Sequence, residues 1–459
     1  MIAAIIMPAA APSLLTDPIP RLVRQIAIPV SIGMFFQTMF NVVDTWAAGR
    51  LSTEALAALS ASFPVFFLMI GVSHGCQAAT NSLISHALGR NDEETARELA
   101  GQALFFAVWM SLLIGAAGWW AAPWLFSRLG VEGEVFRLSV AYIRTIFMGT
   151  SFFALNATLN GMLMARGNSR PFRDSLIVSF FGNIVLDLWF VFGGLGLAPM
   201  GFPGIARATV LLQACTTVFL WVTAVRARLI PPSGFAHLHP RLRAQRRLMG
   251  QGLPAMLNML TISIGIFVYT FFASRAGTDV LAAYGIGTRI EQLALLPTIG
   301  LNAAAMTLAG HSLGAGRLDR LRETVLTCFK FGAVLYLIGA PLVFTFAPQL
   351  MRLFTTEPHV VEIGVGYLRI AMFTFYAFVI LFTTTSSLQG MQRPMYAIWI
   401  GMYRQLLMPV LLISWLMPRV QPPELGIWAG GFASTWSGAL ITLGYLLWTW
   451  RRLNRRPAD

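Results

Sequence analysis

The sequence predicts an all-α membrane protein with twelve transmembrane helices in two six-helix lobes, related by a pseudo-two-fold axis along the membrane normal. Three observations support this. Hydrophobic residues make up 56% of the 459 residues and charged residues only 11%, whereas soluble domains are about a quarter charged. About twelve apolar runs are long enough to cross a bilayer. Segments of the first half also recur 225 residues later.

The apolar runs each predict one helix. They are too long and too uniformly apolar for the alternating pattern of β-barrel strands. Their approximate limits are 26–48, 55–80, 99–124, 138–163, 172–196, 204–226, 249–275, 280–303, 324–347, 360–388, 395–416 and 427–450.

The net charge of +14 comes almost entirely from arginine, with Lys330 as the only lysine. Most of these arginines lie between apolar runs, and none forms a run interleaved with aromatic residues, as a base-stacking surface requires. We therefore expect no nucleic-acid partner and read the arginines as topology signals. With the N-terminus inside, about 21 basic residues are cytoplasmic and about six are not. We expect a monomer in the bacterial cytoplasmic (inner) membrane, with both termini cytoplasmic.

Three repeated features share the offset of 225 residues. Residues 53–58 resemble residues 278–283, residues 85–89 resemble residues 310–314, and Pro29 corresponds to Pro254. An even number of spans in each half gives both halves the same direction through the membrane.

The repeat predicts the domain limits. Residues 1–230 form an N-lobe with helices one to six, residues 231–248 form a cytoplasmic basic linker, and residues 249–459 form a C-lobe. Two similar halves are typical of transporters that work by alternating access, and this favours a transporter over a channel.

Two carboxylates lie inside apolar runs. Asp44 is the only charged residue of residues 26–49, and Asp187 is the only one of residues 180–193. Such charges are costly at bilayer depth and usually face a partner, a cavity or an ion. Asn183 lies one helical turn before Asp187, and Thr209 lies in the next span.

These four side chains predict a coupling-ion site. Carboxylate, amide and hydroxyl oxygens suit Na⁺, and a carboxylate removed from water can carry a proton instead. Asp44, Asn183, Asp187 and Thr209 therefore predict binding of Na⁺ or H⁺. The structural alternative is that Asp187 only joins helices by hydrogen bonds.

The second half has no equivalent pair. Tyr269 stands 225 residues after Asp44. Glu291 lies two residues after Arg289, which favours a local ion pair or an interfacial position over a transport role. His86 and His311 occupy equivalent helix ends, where we expect them to satisfy loop carbonyls. No Walker A loop or other enzyme signature stands out, and we expect neither an enzyme activity nor a cofactor.

Soft and aromatic side chains in the central spans suit a pocket that accepts varied cargo. The candidates for this cleft are Met34, Met39, Phe152, Phe153, Met256, Tyr269 and Tyr376.

Five segments resemble the multidrug and toxic compound extrusion (MATE) family over essentially the whole chain. They are Val43-Asp44-Thr45, Glu54-Ala55-Leu56-Ala57-Ala58, His86-Ala87-Leu88-Gly89, Arg166-Gly167-Asn168-Ser169-Arg170-Pro171, and Gln389-Gly390 before Arg393-Pro394. The resemblance implies two lobes and the export of small organic cations or amphipathic drugs in exchange for Na⁺ or H⁺.

Within that family the chain is similar to the DinF-like branch. The resemblance implies a cation or proton site in the N-lobe at the four residues named above, and bending of the first helix at Pro29. The NorM-like branch has acidic residues in spans seven and ten. This chain has Asn258 and Tyr269 in span seven and only polar uncharged residues late in span ten, Thr383 to Ser387, which disfavours coupling through the C-lobe.

Two other functions stay open at this level. One is a flippase of the same superfamily for lipid-linked or amphipathic substrates, which would use cationic side chains within spans, such as Arg144, Arg207, Arg369 and Arg404. The other is a non-transporting membrane receptor, which needs no ion-site carboxylates.

Overall fold

A computed structural model describes residues 13–194, 196–230 and 240–454 of the chain. This part of the chain forms fourteen α-helices and one π-helical turn. The helices are α1 Ile19–Leu51, α2 Thr53–Gly89, α3 Glu93–Arg128, α4 Gly133–Met148, α5 Thr150–Ala165, α6 Arg170–Phe192, α7 Phe202–Arg226, α8 Leu242–Ala276, α9 Thr278–Gly314, α10 Leu318–Arg352, α11 Pro358–Gly390, α12 Met395–Met402, α13 Met408–Leu416 and α14 Pro423–Asn454, with the π-helical turn at Tyr403–Leu407.

The prediction of a multi-pass helical membrane protein is confirmed. Among the described residues, ten helical stretches are long and apolar enough to cross a membrane, and the bent pair α4 and α5 makes an eleventh span. One of the ten is Met395–Leu416, which comprises α12, the π-helical turn and α13. The twelfth predicted span, residues 427–450, lies within α14, a helix of 32 residues.

The fourth predicted span, residues 138–163, is not one straight helix. It is divided into α4 and α5, which are bent by 47° relative to each other. Gly149 lies at the bend, and its amide donates to the carbonyl of Ile146 at 3.0 Å. A Cβ at Gly149 would lie only 2.6 Å from Cγ2 of Val210 on α7. The glycine therefore lets α7 pack directly against the bend.

The internal repeat extends to the helix boundaries. Helices α2 and α9 both have 37 residues, and their first and last residues differ by 225 positions. The first residue of α4 and the last of α5 likewise stand 225 positions before the ends of α11. These helices of the two halves thus share their boundaries, although α11 is one helix where the first half has the bent pair α4 and α5.

The structure separates into two compact units, and two helices pass from one to the other. One unit contains residues 32–256, and the other contains residues 18–31 and the chain from Leu257. Helix α1 changes unit after Ser31, and α8 changes unit after Met256. These points again differ by 225 positions, and each follows a proline inside its helix, Pro29 or Pro254.

Two equivalent glycines, Gly75 and Gly300, allow close packing of the part of α8 that lies in the first unit and the part of α1 that lies in the second. In the first unit, a Cβ at Gly75 of α2 would lie 2.7 Å from the carbonyl oxygen of Gly252 on α8. In the second unit, a Cβ at Gly300 of α9 would collide with the carbonyl oxygen of Ala27 on α1. Only glycine permits backbones to approach this closely. The first part of α1 is therefore packed tightly in the second unit, and the first part of α8 is packed tightly in the first unit.

Helix α8 begins earlier than expected, inside the predicted linker 231–248. It starts at Leu242, while residues 231–239 lie outside the described residues. Its first turns are bound to α3: the amide of Arg241 donates to Oε1 of Gln102 at 2.9 Å, and Nε1 of Trp109 donates to Oε1 of Gln245 at 3.0 Å. These polar contacts explain why α8 continues beyond its apolar run.

Candidate functional site

Helix α6 has a polar buried face and an apolar exposed face. Its buried residues are Pro171, Ser175, Ser179, Asn183, Asp187 and Val191. Phe181 and Val185 on the other side are more than half exposed. In a membrane helix this arrangement directs the apolar side chains to lipid and the polar side chains to the protein interior. The spacing of four residues places Asn183 and Asp187 on one face.

Aromatic packing holds α1 against α6 in the first unit. The ring of Phe36 lies 5.5 Å from that of Phe180 and 6.4 Å from that of Phe181. A Cβ at Gly33 would approach Cδ1 of Leu176 at 3.1 Å. This packing brings Asp44, further along α1, to the polar face of α6.

Asp44 is bonded directly to α6. Nδ2 of Asn183 donates to Oδ1 of Asp44 at 2.9 Å, and both side chains are buried. The carboxyl groups of Asp44 and Asp187 lie close enough to interact electrostatically. Three of the four residues singled out in the sequence are therefore brought together.

Four buried oxygen atoms of these residues lack a donor. Neither carboxylate oxygen of Asp187 has a hydrogen-bond partner among the described residues, and the same holds for Oδ1 of Asn183. Thr209 lies on α7, which packs against α6. It is 3% exposed, and its Oγ1 also has no partner in the described chain. Buried polar atoms without partners are rare and require an explanation.

Tyr142 on α4 also lies near the two carboxylates, and the sequence did not identify it as a site residue. It is buried, and its phenol interacts electrostatically with both Asp44 and Asp187. Its ring stacks on Phe202 of α7 at 5.3 Å. A single tyrosine in another helix has no spacing relation to the carboxylates, so no local pattern could have identified it.

The arrangement is rich in acceptors and poor in donors. Two carboxylates that share a buried site repel each other unless a cation or a proton joins them. The described residues contain no group of three or more His, Cys, Asp and Glu side chains that could hold a metal ion. The atoms available to bind an ion are the oxygens of two carboxylates and of neutral side chains. Such oxygens suit a monovalent hard cation or protons better than a transition metal.

Glu291 in the second unit does not pair with Arg289, contrary to the sequence-based expectation. The hydroxyl of Tyr367 on α11 donates to Oε2 of Glu291, and Arg404 lies near enough to interact with the carboxylate. Glu291 is half-buried and Arg289 is exposed. Residues two apart on a helix point in different directions, which explains why the expected ion pair is not formed.

The other arginines considered for a flippase have simpler surroundings. The guanidinium of Arg144 stacks on Trp119 at 4.3 Å, and that of Arg369 stacks on Phe344 at 5.0 Å. Arg207 and Arg369 are exposed. Only Arg404 of the four is buried.

The residues predicted for the cleft are all half-buried, namely Met34, Met39, Phe152, Phe153, Met256, Tyr269 and Tyr376. Phe153 packs on Phe66 at 6.0 Å within the first unit. Tyr376 packs on Tyr336 at 5.9 Å within the second. Their role in binding cargo stays a prediction. His86 and His311 lie in the last turns of α2 and α9. Nδ1 of His86 has no partner among the described residues, and the bonding of the two side chains to loop carbonyls stays a prediction.

The chain is similar in sequence to known transport proteins. It is 26% identical over 434 residues to the probable multidrug resistance protein YoeA of Bacillus subtilis, covering 93% of each chain. It is 27% identical over 406 residues to the FAD transporter of Shewanella oneidensis, covering 86% of this chain and 87% of that one.

The fold is also that of a solved transporter structure, described as an outward-facing conformation of a multidrug resistance MATE family transporter of the MOP superfamily. The TM-score is 0.91 at 24% identity, with 98% of this chain and 100% of that chain covered. The MatE family model matches residues 29–190 and 254–413, one segment in each half. The chain therefore belongs to the MatE family.

Proposed function

We propose that this member of the MatE family, a secondary transporter rather than an enzyme, exports small organic compounds in exchange for H⁺ or Na⁺ bound at Asp44 and Asp187. The observation that carries the proposal is the group of buried oxygens around these two carboxylates, which lack donors. Asn183 and Thr209 supply the neutral oxygens of the site. Its cargo includes organic cations and amphipathic drugs.

The chemistry of the site explains why an ion must enter and leave. Asp44 accepts one hydrogen bond from Asn183, but this neutral donor does not cancel a second buried negative charge. Binding a proton or Na⁺ removes the repulsion between the carboxylates. Release of that ion restores the repulsion and favours a different packing of α1 against α6.

Helix α1 is the element that couples the site to the rest of the protein. Pro29 and Asp44 lie fifteen residues apart on this helix, about four turns. Proline removes a backbone donor, which makes bending at this point less costly. The helix also changes unit two residues after Pro29. A change in the packing of Asp44 can therefore reorient one part of α1 relative to the other.

Exchange follows from thermodynamic linkage. If ion binding favours a conformation with weak affinity for cargo, then cargo weakens ion binding by the same factor. An inward gradient of the ion thus drives cargo outward. We place the protein as a monomer in the bacterial cytoplasmic membrane with both termini cytoplasmic. The names of the relatives cover multidrug resistance and FAD transport, and we do not restrict the cargo to cations.

A proteoliposome experiment tests this function. Purified protein is reconstituted, and the flux of ethidium, a permanent organic cation, is followed under an imposed pH gradient, an imposed Na⁺ gradient, or neither. We expect ethidium to move against its own concentration gradient when a pH gradient or a Na⁺ gradient is imposed. Protein-free liposomes should show no such movement.

Two results would contradict it. Movement of a fluorescent lipid-linked phosphate across the bilayer without gradient-driven ethidium flux would indicate a flippase. Binding of ethidium without any flux would indicate a receptor.

A further inference from the structure

A second polar cluster lies in the unit that contains residues 18–31 and the chain from Leu257. Its charged members are Glu291 on α9 and Arg404 in the π-helical turn. The two interact electrostatically, yet they form none of the ion pairs of the described residues. Tyr367 is the hydrogen-bond donor to Glu291. A buried arginine and a half-buried carboxylate of opposite charge therefore interact without forming a direct ion pair.

Arg404 is held by apolar surroundings. It is 9% exposed. Its side-chain stem lies over Gly438 of α14, and its guanidinium carbon lies 5.3 Å from the ring of Phe378 and 5.8 Å from that of Phe382 on α11. A guanidinium has five N–H donors and always keeps its charge. Stacking on the aromatic rings stabilises the flat face of the guanidinium, but it provides no hydrogen-bond acceptor for these N–H donors.

The backbone at Arg404 departs from regular helix. Residues 403–407 form a π-helical turn, and Oγ of Ser434 on α14 donates to the carbonyl of Arg404 at 3.0 Å. Such turns occur frequently at functional sites, because the extra residue redirects the side chains. Ser434 is fully buried, so the turn is an ordered part of the protein interior.

A buried donor nearby also lacks an acceptor. Trp428 is 4% exposed, and its indole N–H has no hydrogen-bond partner among the described residues. Its ring stacks on Tyr284 at 5.9 Å and meets Tyr367 edge-on at 4.8 Å. Tyr269 continues this aromatic cluster by stacking on Tyr284 at 6.1 Å. This cluster thus combines a buried cation with a buried N–H donor that lacks a partner among the described residues, whereas the site at Asp44 combines carboxylates with unpaired oxygens.

We propose that this cluster binds the anionic head of a small organic acid at Arg404, and that aromatic rings around it receive the apolar body of the ligand. Carboxylate, sulfonate and phosphate groups all present two oxygens that fit the planar fork of arginine. Arg404 carries a positive charge, whereas Asp44 and Asp187 are acidic. The second unit therefore suits anionic ligands, a class different from the organic cations proposed above.

Glu291 regulates this site by competing for Arg404. When Glu291 is ionised it offsets the positive charge of Arg404, and when it carries a proton that charge is available to an anion. The titratable groups that interact with Glu291 are Arg404, Tyr269 and Tyr367 from neighbouring elements, and Tyr284 from α9 itself. By linkage, binding of an anion takes up a proton.

Anion binding at Arg404 is an equilibrium property of the protein that goes beyond the proposed export. It needs neither a gradient nor Asp44, so a protein that fails to transport ethidium can still confirm it. The probes are 1-naphthalenesulfonate and 1-naphthyltrimethylammonium, which share a ring system and keep opposite charges at every pH. Their binding to the purified full chain is measured by isothermal titration calorimetry at mildly acidic and mildly alkaline pH.

We expect the sulfonate to bind at least about fivefold more tightly at acidic pH, within the usual range of coupling between two sites. Glu291→Gln should bind it equally well at both pH values. Arg404→Gln should lose this binding, and Arg404→Lys should retain a weaker form, since lysine keeps the charge but loses the fork. Arg369→Gln removes an exposed arginine of the same unit that also stacks on phenylalanine, and should behave like the wild type.

The proposal is overturned if Glu291→Gln keeps the full pH dependence of sulfonate binding. It is also overturned if the folded Arg404→Lys variant binds the sulfonate as tightly as the wild type, or if the cation probe shows the same dependence on Arg404.

Discussion

Asn183 on α6 and Asp44 on α1 are joined by a hydrogen bond of 2.9 Å that is fully buried in the first unit. They stand 139 positions apart in the sequence. The amide nitrogen is used by Asp44, while the amide oxygen has no partner in the described chain. Asn183 can therefore hold Asp44 in place and at the same time offer an oxygen to a bound ion.

Replacement of Asn183 by alanine should change the affinity of the site for its ion. Na⁺ binding should weaken because an oxygen ligand is lost, whereas proton binding should strengthen because the ionised carboxylate of Asp44 loses a hydrogen bond. Hydrogen bonds to charged groups contribute about 1.5–3 kcal/mol, so we expect the ion concentration for half-maximal ethidium efflux to shift by about ten-fold or more. Gradient-driven efflux in proteoliposomes measures this shift. Asn156→Ala is the matched control, because Asn156 is buried in the same unit but donates to Gln213. An equal shift in both variants would exclude a specific role of Asn183.

Thr209 tests whether the unpaired hydroxyl serves the site. Thr209→Val keeps the shape and removes an oxygen without a partner, so it should not lower thermal stability. If that oxygen coordinates the ion, ion affinity should fall several-fold. Thr158→Val removes another fully buried, unpaired hydroxyl of the same unit and should leave ion affinity unchanged. Wild-type ion affinity in Thr209→Val would remove this residue from the site.

Pro29 tests the bending of α1. Pro29→Ala restores a helical donor and should make bending at this point more costly. We expect transport to fall strongly while equilibrium ion binding stays within a few-fold of wild type, because Asp44 lies about four turns away. Comparing ethidium flux with ion binding on the same preparation separates the two effects. Normal transport by Pro29→Ala would show that α1 need not bend there.

Gly300 tests the close packing of the first part of α1, which ends at Ser31, within the second unit. An alanine Cβ at this position collides with the backbone of Ala27, and we expect a loss of about 1–3 kcal/mol from overpacking. Gly339→Ala on α10 is the control, since a Cβ there meets no atom within 4 Å and should stabilise the helix by about 0.5–1 kcal/mol. Melting temperatures in detergent report both effects. A stable Gly300→Ala variant would show that α1 can shift at no cost.

Local patterns in the sequence predicted the helices and the repeat well. The apolar runs gave the spans, because a membrane helix must be apolar over about 20 residues. The offset between Pro29 and Pro254 anticipated the equivalence of α1 and α8. The isolation of Asp44 and Asp187 in apolar runs marked them as candidates, and the structure brings them together.

Features that depend on contacts between distant residues could not be predicted in this way. The bend at Gly149 lies against Val210, which belongs to a different helix. Tyr142 joins the carboxylates through packing of α4, and Glu291 is bonded to Tyr367 rather than to its neighbour in sequence. The π-helical turn at Arg404 also has no signal in the apolar pattern.

The most direct test of coupling at Asp44 compares Asp44→Asn with the wild type in ethidium flux under an imposed ion gradient. Asp174→Asn is the control, because Asp174 lies on α6 but pairs with Arg173 at 2.6 Å outside the site. We expect Asp44→Asn to insert, fold and bind ethidium, yet to show no flux driven by the gradient, while Asp174→Asn transports normally. Gradient-driven flux at the wild-type rate in a folded Asp44→Asn protein would contradict the assignment of Asp44 as the coupling residue.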